Sequence, residues 1–99
     1  MIHVIARIKV KPGCLGKFLE IFKNNVPNVL AEDGCISYTP CVDTDTGFTP
    51  YDGNTVTVVE AWKSLEHLKA HLQAPHMKQY VEDVKDLRTD TAITVVEPA

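Results

Sequence analysis

The alternation of apolar and polar residues predicts a strand at the start of the chain and an amphipathic helix after it. Residues 2–10 change between apolar and mostly polar side chains at every step, which is typical of a half-buried strand. Residues 15–30 carry apolar side chains at i, i+3, i+4 and i+7, which is the period of a helix. Pro27 lies inside this stretch. We expect it to kink or split the helix, because proline lacks an N–H and its ring clashes with the preceding turn.

The rest of the chain predicts three further strands and two short helices. The predicted strands are 35–43, 55–62 and 92–96, and the helices begin after Ser64 and at Pro75. The Ser64 side chain can cap its helix, and Pro75 suits the first turn of the next one. The polar residues 44–54 predict a loop between the second and third strands.

This order of elements predicts an α+β fold of the ferredoxin-like, split βαβ type, with one antiparallel sheet and helices on one face. The length predicts a single domain over residues 1–99. Ile5 and Val59 would then point to the uncovered face. Because buried apolar area is worth roughly 25 cal/mol per Å², we expect a homodimer whose two sheets face each other as a two-chain barrel. The alternative is an amphipathic sheet with one exposed face.

Composition argues against several classes of partner. The formal net charge of −3 gives no basic field for nucleic acid or an anionic membrane. No apolar run approaches the roughly 20 residues of a membrane-spanning helix, and the N-terminus does not resemble a signal peptide. Three cysteines at unrelated spacings predict reduced thiols and a cytoplasmic location.

An acid, an indole and two imidazoles lie close together in the sequence, at Glu60, Trp62, His71 and His76. A carboxylate in an apolar strand is costly unless it is paired. Glu60 therefore either lines a pocket with a raised pKa, or pairs with a helix-borne group such as Lys69 or His71. Trp62 could stack on a flat aromatic substrate or simply fill the core.

His71 and His76 lie at the edges of apolar helix stripes, where the rim of a pocket would be. Each can act as a base near neutral pH, although a surface position or a local hydrogen bond would also account for them. They lie five residues apart with no clear third ligand, so no metal site is predicted. Tyr80 would share a helix face with His76. Tyr80 and Tyr38 either donate hydrogen bonds to a substrate or belong to the core.

Several sequence segments together resemble the antibiotic biosynthesis monooxygenase (ABM) superfamily, and within it the bacterial quinol monooxygenases. They are Arg7-Ile8-x-Val10-Lys11-Pro12-Gly13, Val26-Pro27-Asn28-Val29-Leu30, Glu32-Asp33-Gly34-Cys35-x-x-Tyr38, Glu60-x-Trp62-x-Ser64, Leu68, and Ala70-His71-Leu72-Gln73-Ala74-Pro75-His76-Met77-Lys78. The resemblance implies a dimeric α+β barrel with a pocket between sheet and helices. It also implies oxidation of electron-rich aromatic substrates by O₂ without flavin, haem or metal. Ala6 stands where haem-degrading members carry Asn, which argues against haem degradation.

The leading hypothesis is a cofactor-independent monooxygenase that oxidises a small quinol or dihydroxyaromatic compound. In that reading His76 or His71 is the base, Glu60 tunes a histidine, and Trp62, Tyr80, Tyr38 and Ala6 contact the substrate. One alternative is an isomerase or lyase of a phosphorylated quorum-sensing sugar derivative, with Lys9, Lys63 and Lys69 available for phosphate. Another is a non-catalytic dimer that binds a small molecule. Phe48, Pro50 and Tyr51 would cover the pocket as a lid or lie at the dimer interface.

Overall fold

The predicted order of strands and helices is present in a computed structural model that describes residues 1–99. The elements are β1 (Ile2–Val10), α1 (Leu15–Leu30), β2 (Cys35–Val42), β3 (Thr55–Trp62), α2 (Leu65–Leu72), α3 (Pro75–Val84) and β4 (Arg88–Val96). The strands form one antiparallel sheet in the order β2-β3-β1-β4, which is the ferredoxin-like order. The predicted fold class is therefore confirmed. None of the three helices is long and apolar enough to cross a bilayer.

The two faces of the sheet differ as the alternation predicts. The even-numbered residues from Val4 to Val10 are buried against the helices. On the other face Ile5 pairs with Val59 across the β1–β3 ladder, and the two remain 42% and 44% exposed. The apolar residues on this outer face are therefore uncovered in the single chain.

An aromatic cluster joins α1 to the sheet and to α3. The ring of Phe22 stacks on Tyr38 with centroids 5.3 Å apart, and Tyr80 meets the same ring edge-on at 5.5 Å. Phe18 completes the cluster beside Phe22. Such pairs hold their elements in a fixed relative orientation because the ring quadrupoles favour offset stacking and edge-to-face contact. This cluster fixes the distance between the helices and the sheet at one end of the core.

Two sequence-based expectations about these elements are wrong. α1 is not split at Pro27. The proline is exposed and lies in the last turn of the helix, and the Ala31 N–H still donates to the Pro27 carbonyl at 3.1 Å. Only the carbonyl of exposed Lys23 loses a helical partner, and water can replace it. β4 begins at Arg88 rather than at residue 92. Its polar first residues lack an apolar alternation, but they pair with the end of β1.

The start of α2 is fixed by a contact that only glycine permits. Ser64 caps the helix, accepting from the His67 N–H at 3.3 Å, and its hydroxyl also lies 2.7 Å from His67 Nδ1. The His67 ring then lies flat against Gly34, where a Cβ atom would overlap the ring, and Gly34 has a φ of +82°. Gly34 therefore meets two requirements, a left-handed backbone and a close approach.

We predict that Gly34→Ala destabilises the protein by about 2–4 kcal/mol, the sum of backbone strain and overpacking. Gly13→Ala is the matched control, since Gly13 also has a φ of +82° but nothing lies within 4 Å of its Cβ position. It should cost only about 1 kcal/mol. Urea unfolding measures both, and His67→Ala should recover part of the loss at Gly34 in a double-mutant cycle. Equal losses at the two glycines would show that the His67 contact carries no energy.

Candidate active site

A largely apolar cavity of about 340 Å³ lies between the inner face of the sheet and helices α2 and α3. Its wall includes Ala6 and Val58 from the central strands and Met77 from α3. The polar side chains that reach it are Tyr38, Glu60, His71, Tyr80, Arg88 and Thr91. Apolar walls with a few converging polar groups are typical of a small-molecule site, and this volume lies at the lower end of the usual range. The cavity therefore has room for a small aromatic ligand.

Glu60 is a buried acid in the cavity wall, only 6% exposed. Burial raises its pKa to about 7, and the negative charge of Glu32 adds to the rise. The Trp62 Nε1–H donates to Glu60 Oε1 at 3.0 Å and partly offsets this increase in pKa. The expected pairing with Lys69 or His71 is wrong, because the partner is the indole two residues along the same strand. At neutral pH Glu60 can therefore both accept and release a proton.

His71 is buried, 2% exposed, and is held by a carboxylate. Its Nδ1 lies 2.7 Å from Glu32 Oε2. An imidazole paired with a carboxylate at Nδ1 carries its proton on that nitrogen, so Nε2 is left as the acceptor. The rings of Trp62 and Tyr38 pack against His71 with centroids at 4.6 Å and 5.5 Å. His71 is therefore a buried histidine that Glu32 holds in the cavity wall, not a surface histidine as one reading of the sequence allowed.

Glu32 is the important residue that sequence reasoning did not assign to the site. It lies in the short turn between α1 and β2, 39 positions from His71. Its only sequence signal was a place in the Glu32-Asp33-Gly34 segment of the family resemblance. No local periodicity could pair it with His71, because the contact depends on how α2 packs beside the α1–β2 turn.

Trp62 is absent from the cavity wall, so the structure does not bring it into the position that stacking on a substrate requires. It is 0% exposed and lies at the end of β3, behind His71. Its ring packs against the His71 imidazole while its N–H binds Glu60. The indole therefore positions the two candidate acid–base groups and leaves substrate contact to other residues.

His76 lies outside the cavity, on the helical side of the molecule. Its side chain is 25% exposed and borders a separate groove between α1 and α3. His76 Nε2 is 3.2 Å from Glu32 Oε2, but neither ring nitrogen makes a well-aligned hydrogen bond. Of the two histidines proposed as the base, only His71 borders the cavity.

Ala6, Tyr38 and Tyr80 line the cavity, the position that their proposed contact with a substrate requires. Burial raises the pKa of both tyrosines above the ordinary value, so both remain neutral hydrogen-bond donors. Arg88 was not foreseen. Its Nη1 donates to Thr91 Oγ1 at 3.1 Å, which holds the only cation of the cavity wall in place.

Other residues singled out in the sequence lie elsewhere. The three lysines considered for phosphate, Lys9, Lys63 and Lys69, are absent from the wall, and so are the loop residues considered for a lid, Phe48, Pro50 and Tyr51. No three His, Cys, Asp or Glu side chains are arranged to hold a metal ion. A single carboxylate oxygen of Glu32 lies between His71 Nδ1 and His76 Nε2.

A family model described as "Antibiotic biosynthesis monooxygenase" matches residues 1–83. The chain belongs to the ABM family. It is 40% identical over 102 residues to the protein of Escherichia coli K12 named "Probable quinol monooxygenase YgiN", covering 99% of this chain and 98% of that protein. The resemblance that the sequence motifs indicated is thereby confirmed.

Solved structures give the same assignment of fold. The structure of Rv0793 from Mycobacterium tuberculosis has a TM-score of 0.84 at 28% identity, covering 99% of this chain and 94% of that chain. A conserved protein from Methanosarcina mazei Go1 has a TM-score of 0.88 at 24% identity, over 99% of this chain and 92% of that one. At this sequence identity the likeness supports the fold and carries no statement about function.

We predict that Glu60 makes the protein less stable as the pH rises from about 4.5 to 7. Its folded-state pKa of about 7 exceeds the ordinary glutamate value of 4.5, so folding is favoured while the group is protonated. The stabilisation is complete below pH 4.5 and is lost as the pH passes 7. It amounts at most to about 3 kcal/mol.

The test compares wild type and Glu60→Gln by urea unfolding at pH 5 and pH 8. Glutamine keeps an oxygen to accept from Trp62 but cannot ionise, so the variant should gain stability over wild type at pH 8 and not at pH 5. Glu66→Gln on the exposed surface of α2 is the control and should leave the pH dependence unchanged. A pH dependence that survives Glu60→Gln would show that the carboxyl titrates in its ordinary range.

Proposed function

We propose that this ABM-family protein is a monooxygenase that oxidises a small quinol or dihydroxyaromatic compound with O₂, without flavin, haem or metal. The observation that carries the proposal is the Glu32–His71 pair in the wall of a largely apolar cavity. Such a cavity suits a flat aromatic ring, and the pair supplies a base. The name of the Escherichia coli relative, a probable quinol monooxygenase, supports the same substrate class.

The chemistry begins with a proton transfer. His71 Nε2 accepts a proton from a phenolic hydroxyl, while Glu32 stabilises the imidazolium that forms. Glu60, with a pKa of about 7, is placed to exchange a second proton with the ring. The resulting anion is electron-rich enough to give an electron directly to O₂. The side chains of the cavity therefore need to move protons, and the substrate supplies the electrons.

The remaining polar groups stabilise the oxygen atoms of the substrate and of reduced oxygen. Tyr38 and Tyr80 can donate hydrogen bonds, since each is held as a neutral phenol. Arg88 places a positive charge in the wall where negative charge develops, and such a charge stabilises the developing anion more strongly as a bound substrate displaces water from the cavity. For a naphthohydroquinone the balance is one hydroquinone plus O₂ giving one hydroxynaphthoquinone plus water. One oxygen atom enters the ring and the other leaves as water.

A homodimer completes the proposed assembly. The outer face of the sheet exposes Ile5 and Val59 at its centre, and a second copy would cover them. The cavity lies on the opposite face, so pairing of the two sheets leaves its lining intact. A single chain would keep this apolar surface in water at a cost of roughly 25 cal/mol per Å².

We predict that Ile5→Glu converts the dimer to a monomer in sedimentation at micromolar concentration, because two facing sheets would each bury an unpaired carboxylate. Leu30→Glu is the control. Leu30 is also exposed, but it lies at the end of α1, away from the outer sheet face. It should leave the oligomeric state unchanged. A wild-type chain that sediments as a stable monomer would contradict the proposed pairing.

We predict that protein treated with chelator and free of flavin consumes oxygen with 1,4-naphthohydroquinone, and that His71→Gln lowers kcat by a factor of about 10²–10⁴, the usual worth of a general base. His67→Gln is the matched control, since His67 lies at the start of α2 and is absent from the cavity wall. With ¹⁸O₂, one labelled atom should appear in the quinone product and not in hydrogen peroxide.

Filling the cavity gives a second test. Ala6→Leu should raise KM or abolish binding, because the added side chain occupies the space of the ring. Oxygen uptake no faster than autoxidation, or uptake unaltered by His71→Gln, would overturn the enzyme proposal. Ligand binding without turnover would favour the non-catalytic binding dimer.

A further inference from the structure

One oxygen atom of Glu32 connects the two histidines that lie on opposite sides of the helical layer. Glu32 Oε2 is 2.7 Å from His71 Nδ1 and 3.2 Å from His76 Nε2. His71 borders the cavity, whereas His76 borders a polar groove of about 320 Å³ between α1 and α3. The three side chains therefore form a continuous line of proton-carrying groups from the interior to the surface.

A base in the position of His71 needs such a connection. Its side chain is 2% exposed, packed between Trp62 and Tyr38, and a bound substrate would fill the cavity in front of Nε2. With the cavity filled by a substrate, the Nδ1 side of the imidazole gives the proton a second route towards water. His71 Nδ1 makes one hydrogen bond, to Glu32. The Glu32 side chain is 17% exposed, and its only other ion-pair contact within 4 Å is with His76.

His76 itself has the features of a group that moves. Both ring nitrogens are buried from solvent and neither has a hydrogen-bond partner, although Nε2 is close enough to Glu32 for one. A buried polar atom without a partner destabilises the folded state. A small rotation of the imidazole would align Nε2 with the carboxylate. The groove beside it contains Asp83, a carboxylate that can receive a proton next, together with the amides of Asn24, Asn28 and Gln79.

We propose that Glu32 and His76 form a proton relay that connects His71 to solvent in the α1–α3 groove. The purpose of the relay rests on the proposed function, since it requires His71 to be the base. Neither residue touches the substrate. Glu32 also positions His71, and His76 acts only through Glu32.

The proton balance closes over one turnover. When His71 Nε2 takes the phenolic proton, the Nδ1 proton passes to Glu32 and then to His76 Nε2. His76 Nδ1 is itself buried, so rotation of the His76 ring brings it to the α1–α3 groove, where it releases a proton to water or to Asp83. When the departing oxygen becomes water, Nε2 gives its proton back and Nδ1 regains one along the same path. Every side chain then returns to its starting protonation state without any rotation of the buried His71 ring. The relay therefore works in both directions.

The relay is tested in the free, full-length protein by the rate at which the His71 Nδ1 proton exchanges with water, measured by NMR on ¹⁵N-histidine-labelled samples. His76→Phe keeps a ring of similar size but cannot carry a proton, and we expect the exchange to slow at least tenfold. Asn24→Leu alters the same groove at a side chain that makes no hydrogen bond to Glu32, His76 or Asp83, and it should leave the rate unchanged. Backbone amide exchange in α2 and α3 should be the same in all three proteins, which excludes a loosened fold as the cause.

A second variant tests the chemistry of the relay. His76→Ala should show slow exchange and lowered oxygen uptake, and added imidazole should restore both, whereas loss of a merely structural contact would not respond to a small base. An unchanged exchange rate in His76→Phe would overturn the relay, whatever the rate of oxygen uptake. Slowed exchange in a protein whose wild type takes up no oxygen would leave the relay standing and remove the proposed function instead.

Discussion

The hydrogen bond between Glu32 and His71 is the interaction on which the site depends. It fixes the protonated nitrogen of an imidazole in the cavity wall, and it joins the α1–β2 turn to α2. Because His71 is only 2% exposed, removal of Glu32 would leave the His71 imidazole buried without its hydrogen-bond partner. The bond therefore contributes to folding and sets the geometry of the candidate site, and Trp62 strengthens the arrangement by packing on the imidazole and binding Glu60.

Sequence pattern was sufficient where structure is local. Alternation placed the strands, apolar spacing placed α1, and Ser64 and Pro75 correctly marked the starts of α2 and α3, because each of these features depends on neighbouring residues. It failed where the outcome depends on exposure. Pro27 is compatible with a continuous helix because the carbonyl that it leaves without a donor belongs to an exposed residue, Lys23. β4 starts early because pairing with β1 compensates for the polar composition of its first residues.

The site was predicted less well than the fold because its contacts cross the chain. Glu60, His71, Tyr38, Tyr80 and Ala6 were expected at the cavity, and all five border it. Trp62 and His76 were also expected at the cavity, but neither borders it. The indole ends behind the wall and His76 on the outer side of the helices. Glu32 and Arg88 could be found only in three dimensions, since each reaches the site from an element far away in sequence.

Ala6 has a consequence for the energetics of the whole domain. It lies between Val58 and Ile93 on neighbouring strands, where a larger side chain would complete an ordinary packed layer. The cavity is thus a deficit of core volume, and deficits of this kind lower the melting temperature. A bound ring supplies the missing atoms, so ligand affinity and resistance to heat are thermodynamically linked in this protein. Its thermal stability should consequently follow the concentration of any ligand that fills the cavity.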